Sequence, residues 1–122
     1  MNIPEHLIPI LTMIEPTMDW EKMTIEEWVR QVFDGNEATI AYLPMELLNG
    51  DQIDRTLRRF PKKANDGKIK WKKLNGNDWS TLLQYQPQFS VHCDDWDKLS
   101  DYDWSYLLQS QPQLAIYKKQ SA

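Results

Sequence analysis

A single cysteine, Cys93, stands in the 122 residues, so no disulfide can close within the chain. That suits a reducing compartment. Glycine is also scarce: Gly35, Gly50, Gly67 and Gly76 are scattered, which excludes a glycine-rich phosphate loop. No apolar run approaches the ~20 residues that span a bilayer. The opening MNIPEHLIPILTMIEP has no basic flank and runs into acidic residues, so it is a poor signal peptide. The expectation is a cytoplasmic protein with no membrane partner. GxSxG, HExxH and CxxC are all missing, and with them the commonest signatures of a hydrolase, a zinc protease and a redox or zinc site.

What the chain does have is tryptophan, six in all, set in a repeat. Self-similarity is tested first, because a fixed period decides the architecture. WKKLNGNDWSTLLQYQPQF begins at Trp71, and WDKLSDYDWSYLLQSQPQL begins at Trp96. Trp71, Leu74, Trp79, Leu82, Leu83, Gln86, Pro87 and Gln88 fall opposite Trp96, Leu99, Trp104, Leu107, Leu108, Gln111, Pro112 and Gln113. A third copy starts at Trp20, with Met23, Trp28 and Val32 in register and Asn36 at the place of Pro87. A fourth, weaker copy starts at Met45 and runs through Leu48, Ile53, Leu57 and Pro61. The units are therefore 20–44, 45–70, 71–95 and 96–122, in one domain spanning 1–122.

Each unit reads as two short helices. Asp78 precedes Trp79, Leu82 and Leu83, which share a helical face, and is the expected N-cap. Asn75-Gly76 reads as a turn ahead of that helix. Pro87 disfavours the α region at Gln86, so the first helix should stop there and the second open at Pro87, with Phe89 and Cys93 inward. In the second unit, Asn65-Asp66-Gly67 is a turn signal where the others have their second helix. A loop or a short hairpin, with Ile69 and Trp71 inward, is expected instead. Residues 1–17 carry Leu7, Ile8, Ile10, Leu11 and Ile14 at helical spacing and read as a capping helix over the open end of the array. Pro9 should limit or kink it. Helices this short are not stable alone, so their apolar faces must be buried on neighbouring units. The fold class expected is all-α: a short solenoid-like array with an N-terminal cap and an irregular second repeat.

Charge is blocked along the chain. Residues 1–54 hold eleven acids against Lys22 and Arg30. Residues 55–73 hold Arg55, Arg58, Arg59, Lys62, Lys63, Lys68, Lys70, Lys72 and Lys73 against Asp66 alone. The repeat does not require this basic block, which makes it the candidate binding surface. Arg55, Arg58, Arg59 and Lys62 would share one face of a helix that runs that far. An anionic partner, nucleic acid or an acidic protein patch, would suit it. The chain as a whole carries a net charge of -4, whereas dedicated nucleic-acid domains are basic overall, so a protein partner is favoured. Glu15, Asp19, Glu21, Glu26, Glu27, Asp34 and Glu37 suggest a further idea, a helical line of carboxylates resembling phosphates.

Catalytic candidates are few. His92 and Cys93 are adjacent, so their side chains diverge on a helix and make no local dyad. Their counterparts are Tyr117 and Lys118, which points to core variation. Asp94, Asp95, Asp97, Asp101 and Asp103 lack the spacing of a calcium loop and read as caps and linkers. No cofactor, metal or small-molecule substrate is implied.

The pattern carried by Trp71, Leu74, Asp78, Trp79, Leu83, Gln86 and Pro87, and again from Trp96 to Pro112, resembles tandem helical repeats of bacterial proteins of unassigned function. The resemblance implies an interaction scaffold and transfers no catalytic residue. In size and charge the chain is also similar to phage and mobile-element inhibitors such as anti-CRISPR proteins. The function expected is therefore a non-enzymatic protein-binding module that occludes or tethers its partner. The alternatives are a nucleic-acid binder using 55–73, and a small enzyme with its site assembled between repeats.

Overall fold

Helix capping sets the rhythm of this chain. In a computed structural model, residues 2–35 and 37–120 are described, except the side chains of 119 and 120. Asn36, the residue at the proline place of the first copy, lies outside them. Six α-helices and eight 3-10 turns are present among the described residues, with no strand: α1 Ile8–Ile14, α2 Ile25–Phe33, α3 Gly50–Arg59, α4 Gly76–Tyr85, α5 Asp101–Ser110 and α6 Ala115–Gln120. The all-α expectation holds. The chain divides into two compact units, Met1–Leu48 and Asn49–Ala122.

In the first unit, Pro9 sits in the first turn of α1, where its missing N–H costs nothing, so the helix forms around it without a kink signal. Only Leu11 of α1 is fully buried. Thr24 caps α2 by accepting from the Glu27 backbone N–H at 3.2 Å. Ile25, Trp28, Val29 and Val32 form its buried stripe. Trp20 meets Trp28 edge-on, 6.0 Å apart at 71°, while its indole N–H donates to the Glu15 carbonyl at 3.0 Å. Both α1 and α2 pack against the 3-10 helix Glu37–Tyr42.

The second unit repeats one local design three times. Each α-helix opens with a full capping box: Asn49 with Gln52, Asn75 with Asp78, and Ser100 with Asp103. Asn75 Oδ1 accepts from the Asp78 N–H at 2.8 Å, and Asp78 Oδ2 accepts from the Asn75 N–H at 3.0 Å. The N-cap is therefore Asn75, not Asp78. Asn75-Gly76 is the helix start rather than a turn ahead of it. Asp78 looked like a cap because it stands next to the first apolar residue. Its carboxylate serves instead as the third-residue partner of the box.

Each helix ends at a residue held near φ -130° (Phe60, Gln86 and Gln111), and a proline opens the following 3-10 turn. The second element of the repeat is thus 3-10 in character. The second repeat keeps it, as Pro61–Asn65. The expected loop or hairpin is not there, because Pro61 sets the turn as it does elsewhere. The Asn-Asp-Gly signal acts after it: Asp66 Oδ1 accepts from the Lys68 N–H at 3.0 Å. Ile69 is buried, as expected, and Trp71 half-buried.

α3 packs on α4 and α4 on α5. A Cβ at Gly50 would run into the Lys73 carbonyl, and one at Gly76 into the Lys98 carbonyl. The first residue of each helix must therefore be glycine where a following 3-10 turn lies across it. The same place in α5 is Asp101, which is exposed. Glutamines close the seam further along. Gln86 Nε2 donates to the Arg58 carbonyl at 3.2 Å and Gln111 Nε2 to the Gln84 carbonyl at 2.9 Å. Gln88 and Gln113 in turn donate to Gln86 and Gln111 at 2.9 and 2.8 Å. The Q-P-Q motif is thus a bracket between one helix end and the next.

Candidate interaction surface

The nine basic residues of 55–73 fall on four consecutive elements. Arg55, Arg58 and Arg59 lie on α3; Lys62 and Lys63 follow in Pro61–Asn65; Lys68 and Lys70 lie in the link; Lys72 and Lys73 belong to the turn Trp71–Lys73. Because α3 stops at Arg59 ahead of Pro61, Lys62 does not share its helical face. One member serves the architecture. Arg58, with a side chain 33% exposed, lies 3.0 Å from Asp54 Oδ1 and 5.8 Å over the Tyr85 ring. Lys73 occupies the place of Lys98, whose Nζ donates to the Lys72 and Leu74 carbonyls at 3.0 and 3.2 Å. Arg55 pairs with Asp51 at 3.1 Å, and Arg59 lies 5.5 Å over Phe60. Arg55, Arg59, Lys62, Lys68, Lys70, Lys72 and Lys73 are exposed.

The acidic residues of the first unit do not line one helix. Glu15 follows α1, Asp19 and Glu21 lie in turns, Glu26 and Glu27 open α2, Asp34 closes it, and Glu37 begins the next 3-10 segment. The line of carboxylates expected to resemble phosphates is broken by those turns.

His92 and Cys93 are not poised for catalysis. Cys93 is buried, and burial pushes its thiol up to about 11, away from the reactive thiolate. His92 stacks on Trp71, 4.2 Å away at 3°. Trp71 in turn stacks on Trp79, 5.7 Å away at 15°. The same three-ring layer recurs one unit on: Trp104 with Trp96 at 5.6 Å, and Trp96 with Tyr117 at 4.4 Å. A ring at the His92 place thus recurs in the last two copies, whereas Ala41 and Asp66 hold it in the first two.

Sequence reading missed the carboxylates Asp51, Asp54 and Asp78, which the α3–α4 seam brings within 4.8 Å of one another. Each already has a partner. Asp51 holds Arg55, and Asp78 serves the capping box. Asp54, 2% exposed, accepts from Thr81 Oγ1 at 2.9 Å and lies beside Arg58 Nε, whose N–H is poorly aligned, so the contact is Coulombic rather than a hydrogen bond. Burial pushes the Asp54 carboxyl up to about 6; Thr81 and Arg58 oppose this, and Asp78 adds to it. Burial also raises Asp78. A raised folded-state pKa means that the folded chain holds the proton more tightly than the unfolded one. Asp54 therefore stabilises the fold most below pH ~4, and that contribution fades as pH rises through about 6. The expected loss is about 2–3 kcal/mol, at 1.36 kcal/mol per pKa unit. Urea titrations from pH 4 to 7.5 check it: the stability of wild type minus that of Asp54→Asn should fall as pH rises. A difference that grows with pH contradicts it.

The fold and site define an all-α protein whose Asn49–Ala122 part is built from one recurring helix-and-turn design. No family model, no curated protein and no solved structure matches the chain. No helix among the described residues is long and apolar enough to cross a membrane.

Proposed function

We propose that this chain is a non-enzymatic protein-binding module, with a solenoid-like stack in Asn49–Ala122, that occludes or tethers one partner. The observation that carries the reading is the contrast between fixed seams and varied outward positions. The capping box recurs in α3, α4 and α5, the glycine contact at both seams, and the glutamine bracket from Gln86 and Gln111. At equivalent outward places the residues differ: Asp51, Asn77 and Tyr102; Arg59, Tyr85 and Ser110; and Tyr106 stands where α3 has Arg55. Tyr85, Tyr102 and Tyr106 stand 66%, 78% and 59% exposed. Tyrosine and arginine supply much of the energy at protein interfaces. A constant frame with variable outward chemistry is what a recognition scaffold needs. An inhibitor of a bacterial defence nuclease, of the anti-CRISPR kind, is one form such an occluding protein takes. A buried free Cys93 suits a cytoplasmic setting.

Capture from bacterial lysate tests the reading. One stoichiometric partner is expected, whereas general chaperones alone count against it. The exposed lysines favour nucleic acid as a second reading. Binding of that kind would weaken steeply with salt, and reversing Lys62, Lys68, Lys70 and Lys72 to glutamate would abolish it. The protein-binding reading expects no such salt-dependent affinity. Gel-shift titration of duplex DNA and of RNA between 50 and 200 mM salt separates the two.

A further inference from the structure

Trp71 and Trp96 open equivalent 3-10 turns, and each is the half-buried middle ring of a three-ring stack. The residues beside them are inverted in charge. Lys70 and Lys72 flank Trp71, and Asp95 and Asp97 flank Trp96. All four are exposed. The Lys98 ammonium ties the second turn to the first through the Lys72 and Leu74 carbonyls, so the two stand side by side. An exposed apolar residue lies at the same place in both units, Val91 at 78% and Ile116 at 58%.

We propose that these two turns form one docking surface for an extended segment of a partner protein. That segment carries an acidic residue over the Lys70/Lys72 turn, a basic residue over the Asp95/Asp97 turn, and apolar residues between them. The proposal rests on the protein-binding reading and adds the surface and the partner's chemistry. The aromatic layers and Val91 and Ile116 supply apolar area, and the two charge pairs set direction and register. A uniformly anionic strand attracted to the lysine pair would meet the aspartate pair one unit further on, so nucleic acid fits this surface poorly. Packed helices stand about 8–10 Å apart, and an extended segment of the polyproline-II kind rises about 3.1 Å per residue and returns to the same face every third residue. The acidic and basic residues of the ligand are therefore about three positions apart.

The test selects random decapeptides displayed in a library on the full chain, and again on the variant Lys70→Asp, Lys72→Asp, Asp95→Lys, Asp97→Lys. Circular dichroism checks that the variant is folded. Wild type should enrich peptides with an acid and a base about three apart around apolar residues. The variant should enrich the reverse order, and each peptide should bind the other protein about tenfold more weakly. If the fourfold variant does not fold, Lys70→Gln with Lys72→Gln should lose the preference for the acid, and Asp95→Asn with Asp97→Asn the preference for the base. Enriched peptides that bind wild type and variants equally overturn this surface but leave the protein-binding reading standing. Uniformly acidic peptides, together with binding of oligothymidylate, overturn it in favour of an anionic-ligand site. Failure of both proteins to enrich any peptide counts against the surface and the reading together.

Discussion

Trp79→Ala takes about 3–5 kcal/mol from the Asn49–Ala122 unit, close to half of its stability. Trp79 is buried in α4, and its indole is the inner ring of the layer that continues through Trp71 to His92. Removing a buried tryptophan costs about 3–5 kcal/mol, from lost transfer energy and from the cavity that remains. A unit of this size holds about 4–11 kcal/mol in all. The helix lies between α3 and α5, so its loss removes support from both. Chemical denaturation followed by far-UV circular dichroism gives the number. A loss below about 1 kcal/mol would show that the stack is ornament rather than core. Trp104→Ala should cost as much locally, because Trp104 stacks on Trp96 in the same way. It removes support from one neighbouring helix only, so more of the unit should survive.

The second large effect is Gly76→Ala, a loss of about 3 kcal/mol. Alanine at an ordinary exposed helix position is better than glycine by about 1 kcal/mol. Here the sign reverses, because the added methyl meets the Lys98 backbone carbonyl, which no rotamer change can move. Overpacking of that kind costs about 1–3 kcal/mol, and backbone contact places it at the upper end. Asp101→Ala is the matched control. It creates the same residue at the equivalent place of α5, where Asp101 is exposed, and should change stability by about 0.5 kcal/mol or less. Urea midpoints of the two variants decide it. Equal losses would mean that the N-terminal position, not the seam, sets the cost.

These two cases also show where sequence reasoning reached and where it stopped. The helix stops at Pro87 and Pro112 were legible, because a proline constrains the residue before it whatever surrounds it. So were the burial of Trp79 and Trp104 and the kinship of His92 with Tyr117. The capping boxes were present in the letters, as Asn75 with Asp78 and Ser100 with Asp103, but Asp78 drew attention by standing beside a tryptophan. Gln86 and Gln111 were seen to recur without their purpose being visible, since a side chain bonding a carbonyl 28 or 27 residues away shows only once the seam is known. The same holds for Asp54 and Thr81, 27 residues apart. The basic block was legible as a charge run, but not in its division of labour. Arg58 turns inward to architecture, while Lys70, Lys72 and Lys73 are exposed on either side of Trp71.

Lengthening the array is the most direct measurement. Residues 76–100 can be duplicated in line between Ser100 and Asp101, so that every junction keeps its glycine, capping box and glutamine bracket. If each unit is held by its neighbours, the longer protein unfolds in one transition, with a higher midpoint temperature and a larger denaturant m-value. A lower midpoint, or a second transition belonging to the inserted copy alone, would contradict the stacked repeat.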